Sequence, residues 1–387
     1  MTIPLPKPGE SLAGLQLANF RVDVLIKRGG MSEVYYGWDI MLRRPVAIKI
    51  IDTRLQPNAK LAERFLREAR SVANWRHENI TQVYYADKQD GLYYFVMEYV
   101  DGMDLGDLIL QYQAENSLLP IEETLRIGQA VAKALDYAHA NAVIHRDVKP
   151  NNILLSLDER VLLTDFGLAM TAKEDSLGEI LGTPHYMAPE QSLRSSEAVP
   201  QTDQYSLAVV MFELLTGRLP FVGDSITSLA LQHMSEPPPS PMDINPNLGE
   251  AISAVLLRAL HKNPERRYNS SSAFMRELEQ VAQVEVPSNM ARLPLPPPPA
   301  ASQLHSEPRP SLIISRTSVV DKIAASVAEQ RPAPRPSSPN LTSQIQAKKD
   351  ESAAFTNRAL TAVLLLVMAS AIFFIFWQGS SEETADA

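Results

Sequence analysis

Ile144-His145-Arg146-Asp147-Val148-Lys149-Pro150-Asn151-Asn152 decides the fold, together with three short runs downstream: Ile153-Leu154-Leu155, Val161-Leu162-Leu163 and then Asp165-Phe166-Gly167. Either polar cluster alone reads as a structural turn. Here Asp147 and Asp165 stand eighteen residues apart with two apolar triplets between them, and that order makes one site of two turns. The side chains are carboxylates, a lysine and an amide, residue types that handle protons, phosphates and hard cations.

Upstream of this stretch the apolar period is short. Arg21 to Trp38, Pro45 to Ile51, Gln82 to Asp87 and Leu92 to Tyr99 read as strands, with one helix, Lys60 to Trp75, between them. After Asp101 the long segments are mostly helical: Ile121 to Asn141, Thr202 to Thr216, Ser225 to Met234, Leu248 to His261 and Ser270 to Val281. A strand-rich part followed by a helix-rich part predicts an α+β, two-lobe arrangement.

In chain order the motifs are a glycine-containing loop, Val46-Ala47-Ile48-Lys49, a helix glutamate, His145-Arg146-Asp147, Asn152, Asp165-Phe166-Gly167 and Ala188-Pro189-Glu190. Taken together they resemble the protein-kinase superfamily, specifically the bacterial eukaryotic-like serine/threonine kinases. The resemblance covers residues 19–284. It implies a bilobal kinase-like fold with an N-lobe at 19–97, a hinge at 98–102 and a C-lobe at 103–284, behind an N-terminal extension at 1–18.

The resemblance also assigns roles. Lys49 would reach the α- and β-phosphates of ATP, paired with Glu68 on the helix, Glu63 being the alternative. Asp147 would orient the substrate hydroxyl and Lys149 contact the γ-phosphate, as in the serine/threonine class. Asn152 and Asp165 would hold Mg2+, with manganese as the alternative ion. Glu98 and Val100 would hydrogen-bond adenine through their backbone behind a Met97 gatekeeper, and Val34, Ala47 and Leu154 would sandwich the purine. Asp104 would contact the ribose, though a helix N-cap explains it equally well.

The phosphate-covering loop departs from the family pattern Gly-x-Gly-x-x-Gly. Its run is Ile26-Lys27-Arg28-Gly29-Gly30-Met31-Ser32-Glu33-Val34, with Lys27 at the first glycine, Ser32 at the third and only the central Gly29 kept beside Gly30. A side chain at 27 is expected to alter nucleotide affinity or rate without abolishing activity. Further on, Gly182-Thr183-Pro184-His185-Tyr186 resembles the loop in which Thr183 helps hold Asp147 and Lys149. Arg146 implies a loop ordered by phosphorylation, with Thr171 and Ser176 as upstream hydroxyls. Glu190 should pair with Arg267 in preference to Arg266, and Asp203 should hold the catalytic-loop backbone.

Composition fits these expectations. The formal charge of −9 over 387 residues argues against a nucleic-acid partner, and the absence of cysteine excludes disulfides and thiol catalysis. Residues 285–358 are proline- and serine-rich and read as an extended juxtamembrane linker. Within it, Ser318 to Val327 has a helical apolar spacing that suits either a short docking helix or a transient one. Residues 359–377, ALTAVLLLVMASAIFFIFW, carry no charge and are long enough to cross a bilayer; a buried core helix is the alternative. Lys348, Lys349 and Arg358 before the span, and Glu382, Glu383 and Asp386 after it, place the kinase-like part on the cytoplasmic side of a single-pass membrane protein. Residues 378–387 would form a short tail outside, too small for a ligand-binding domain. The expected partners are protein substrates, the membrane and a second copy of the chain for phosphorylation in trans. The alternative function is a nucleotide-binding scaffold without transfer activity.

Overall fold

Strand β4, Arg44–Asp52, explains the first lobe. Its side chains alternate between two faces, and both faces are apolar. Val46, Ile48 and Ile50 join one cluster with Val22, Tyr35, Tyr94 and Val96. Ala47 and Ile51 join another with Val83, Phe95 and Met97. A strand covered on both sides has little polar alternation to show, which is why Pro45 to Ile51 is apolar at every position but Lys49.

The computed structural model describes residues 6–7, 9–29, 32–54, 65–66, 69–70, 72–166, 184–193 and 198–285. The chain divides into two units, 1–326 and 327–387, and the described residues all lie in the first. Strands β1 (Gln16–Leu17), β2 (Phe20–Arg28), β3 (Glu33–Asp39), β4, β5 (Val83–Gln89) and β6 (Leu92–Glu98) form one sheet in the order β1-β2-β3-β4-β6-β5. Their pairings are antiparallel. The strand-forming stretch Arg21 to Trp38 folds back on itself as the antiparallel pair β2 and β3. Helical residues Phe65, Leu66 and Ala69 cover the second apolar face. Leu12, Leu15 and Leu17 cover the first, and β1 pairs with β2, so the lobe takes in residues expected to belong to an extension.

A small sheet, β7 (Gly102–Asp104), β8 (Ile153–Ser156) and β9 (Val161–Leu163), begins the second lobe. The apolar triplets of the deciding stretch are thus β8 and β9. A parallel bridge between Ile80 and Leu163 ties them to the first lobe. Among the described residues the helices of ten residues or more are α1 (Leu105–Ala114), α2 (Ile121–Ala140), α3 (Pro200–Thr216), α4 (Ile226–Ser235), α5 (Glu250–Ala259) and α6 (Ser271–Glu285). Every residue of α3 from Thr202 to Thr216 is buried, as expected of a helix packed on all sides. Pro200 opens it without losing a helical hydrogen bond, and Gly217 closes it at φ 71°, a left-handed turn that glycine adopts freely. Asp136 on α2 accepts from the Ser271 and Ser272 amides, satisfying the start of α6 from outside that helix. Among the described residues no helix is long and apolar enough to cross a membrane; the span read at 359–377 lies outside them, as does the linker beyond Glu285.

Candidate active site

The catalytic-loop residues hang from one buried acid. Asp203 on α3 accepts from the backbone amides of His145 at 2.8 Å and Arg146 at 2.7 Å, and meets His139 Nε2 at 2.7 Å. The Arg146 carbonyl accepts from Gln191 Nε2 at 2.8 Å. These anchors hold Arg146 at φ 67°, a left-handed conformation that costs a non-glycine residue on the order of 1 kcal/mol and persists only where neighbours enforce it. Next to it, His145 Nδ1 accepts from the Asp147 amide and so places the ring proton on Nε2, which donates to the Thr164 carbonyl at 2.9 Å. One imidazole thereby links the catalytic loop to the segment that carries Asp165.

Lys149 Nζ donates to both Asp147 oxygens, at 2.9 and 2.7 Å. Asn152 Nδ2 donates to the Asp147 carbonyl and to its Oδ2. With its amide hydrogens so committed, Asn152 presents its side-chain oxygen as a ligand. Lys49 is 8% exposed and pairs with Asp165 Oδ1 at 2.8 Å. Burial pushes the Asp165 carboxyl up, but Lys49, with Lys27 behind it, outweighs burial and holds it below the usual carboxylate range. Asp165 therefore stays charged near neutral pH. It too is left-handed, at φ 65°, and Phe166 after it meets Trp75 edge-on and the His145 ring at a tilt.

These oxygens suit a hard divalent cation. Among the described residues no three His, Cys, Asp or Glu gather into a metal cluster.

The register of the two sheets sets the expected nucleotide positions beside one another in pairs. Lys27 lies opposite Val34, Val34 opposite Lys49, and Ala47 opposite Met97. Leu154 lies opposite Asp104 in the small sheet. The Glu98 amide donates to the Gln82 carbonyl at 2.8 Å, so any adenine contact from Glu98 falls to its carbonyl. Val100 comes next but one, in the irregular segment after β6.

The protein kinase domain family matches residues 20–278. The chain belongs to the protein kinase family. The serine/threonine-protein kinase PrkC of Bacillus subtilis is 39% identical over 250 residues, 64% of this chain and 38% of that protein. PknB of Mycobacterium leprae, also a serine/threonine-protein kinase, is 38% identical over 65% of this chain and 41% of its own length. The chain thus spans about two fifths of the length of these curated relatives. The crystal structure of the PknI kinase domain of Mycobacterium tuberculosis aligns with a TM-score of 0.58 at 30% identity, covering 70% of this chain and 98% of that one.

Within this kinase domain, Asp147, Lys149, Lys49, Asn152 and Asp165 come together, as do Ile26, Lys27, Arg28, Gly29, Ser32 and Val34 on the hairpin above them. Glu68, Thr183, Gly30 and Met31 lie outside the described residues, as do Thr171 and Ser176. Asp104 is the expected N-cap: its side chain accepts from the Asp107 amide at the start of α1. Glu190 pairs with Arg267 at 2.8 and 3.0 Å, inside the protein, while Arg266 is exposed. Burial pushes the Glu190 carboxyl up and the Arg267 guanidinium overrides it, leaving it below its ordinary range.

Three contributors escaped sequence reasoning. Gln191 holds Arg146 from 45 residues away, Arg160 reaches the hinge acid Glu98 from 62 away, and Asn151 donates to Asp104. None has a local signal, because each partner is fixed only by the folded chain.

Proposed function

We propose that this chain transfers the γ-phosphoryl group of ATP to serine and threonine hydroxyls of proteins. The observation that carries the reading is the charged constellation at the cleft: Lys49 on Asp165, and Lys149 and Asn152 on Asp147. Phosphoryl transfer asks a protein mainly for positioning and charge stabilisation, and this arrangement provides both. Lys49 would hold the α- and β-phosphates, and Asn152 and Asp165 would hold magnesium, which neutralises phosphate charge when bound. On Asp147, Oδ2 carries two donors and Oδ1 one, so Oδ1 has room for the substrate hydroxyl and its departing proton. The names of the relatives support serine and threonine as acceptors.

Incubation with radiolabelled ATP, magnesium and a generic basic protein tests the reading. Label should pass to substrate and chain, and Asp147→Asn or Lys49→Met should lower the rate by about 10²-fold or more while the fold survives. Full activity in the Asp147 variant would end the proposed role.

The same proposal includes a membrane address. Residues 359–377 suit a single span with the kinase domain on the cytoplasmic side, and residues 285–358 suit a flexible tether. Arg146 supports activation by phosphorylation: its Nε is buried without a hydrogen-bond partner among the described residues, and a phosphate on the neighbouring loop would satisfy it.

A further inference from the structure

Lys27 stands where the family pattern has glycine, so this side chain is extra to the site. It lies near the end of β2, on the hairpin above the cleft, and crosses to the opposite lobe. Its ammonium is 3.3 Å from Asp104 Oδ2 and 3.4 Å from the Asn151 carbonyl.

Asp104 is crowded where Lys27 meets it. Oδ1 accepts from the Asp107 amide at 3.0 Å. Asn151 Nδ2 lies 3.2 and 3.3 Å from the two oxygens. Gly106 makes that approach feasible, since a Cβ there would sit 2.8 Å from Asn151 Nδ2. A carboxylate offers about four acceptor positions, and these contacts engage them. A ribose that uses the same carboxylate has to displace a donor. Asp107 belongs to the helix and Asn151 to the catalytic loop; Lys27 is the one donor on a flexible side chain, half exposed at 49%.

We propose that Lys27 is a specificity-determining residue that competes with the nucleotide's ribose for Asp104, a built-in cation that lowers affinity for the nucleoside part of ATP. This rests on the kinase reading and on Asp104 as the ribose acid. Exposed ion pairs are weak and screened by salt, so the competition is worth about two- to fivefold in affinity.

Calorimetric titration of the full chain with adenosine isolates the effect, because adenosine has no phosphate for Lys27 to attract. The Lys27→Met chain should bind adenosine about two- to fivefold more tightly than the wild type. Wild-type affinity for adenosine should rise with ionic strength, and that of Lys27→Met should not. Lys27→Arg should restore wild-type behaviour, and 2′,3′-dideoxyadenosine should show no gain. A structural role alone would move none of these patterns.

Unchanged or weaker adenosine binding by Lys27→Met, beside normal wild-type binding of ADP, would overturn the competition and leave the kinase reading standing. Failure of the wild type to bind ADP with magnesium would overturn both. If Lys27→Met does not fold, the wild-type salt series decides by itself: affinity for adenosine that stays flat or falls with salt overturns the proposal.

Discussion

Asp203 shows how much of this site hangs on a residue that never meets the substrate. It is fully buried and receives two backbone amides and an imidazole. An amide in its place keeps the shape but has only one accepting oxygen, so one of the two backbone amides is left facing an N–H. Asp203→Asn should cost about 1–3 kcal/mol and lower the melting midpoint by roughly 2–10 °C. Activity should fall further than that loss of stability explains, because Arg146 relaxes from its left-handed conformation and shifts Asp147. Scanning calorimetry and initial rates on the same preparation check this, and an unchanged rate would refute it. At this scale the sequence was most legible: the resemblance carried by the order of the motifs named Lys49, Asp147, Asn152 and Asp165, and the same resemblance implied the pairing of Glu190 with Arg267. Asn151, Arg160 and Gln191 were not, because a side chain's distant partner leaves no mark on its neighbours in the chain.

Between elements, α3 and α4 meet through a histidine that burial keeps neutral. His233 is fully buried, its Nδ1 lies 2.9 Å from the Tyr205 hydroxyl, and the Phe221 ring packs on it. Burial, reinforced by the Lys262 ammonium, pushes its pKa down to about 3. Below its ordinary value of about 6.5 the unfolded chain takes up a proton that the folded chain refuses. Its stabilising effect is therefore complete above pH 6.5 and is lost as pH falls towards 3, by up to about 1.4 kcal/mol per pH unit. Urea midpoints at pH 7.5, 6 and 5 should show a steeper acid loss for the wild type than for His233→Phe; parallel slopes would count against it. Element reading was good where the apolar pattern was long. The five long helices begin and end within about two residues of expectation, apart from the last, which runs on to Glu285. It failed at α1, whose buried stripe is only Leu105, Gly106 and Ile109, and at residues 12–17, where nearby prolines made Leu12, Leu15 and Leu17 look like a tail.

For the whole molecule, the proposed tether turns a bulk reaction into one confined to a surface. Deleting 359–387 should release the chain into the soluble fraction with catalysis largely kept. If activation occurs in trans, the released chain should show a concentration-dependent lag that the membrane-bound form lacks; first-order activation at every concentration would rule that route out. The two lobes are also joined by an aromatic contact with a price in time. Trp75, a residue of the first lobe, belongs to the core of the second, edge-on to Tyr137 and Phe166. During synthesis it leaves the ribosome roughly sixty residues before Tyr137 and ninety before Phe166, a delay of several seconds at about 5–20 residues per second. For that interval the nascent first lobe carries an uncovered indole, so a chain stalled before Tyr137 presents a greasy handle to chaperones and to other nascent chains alike.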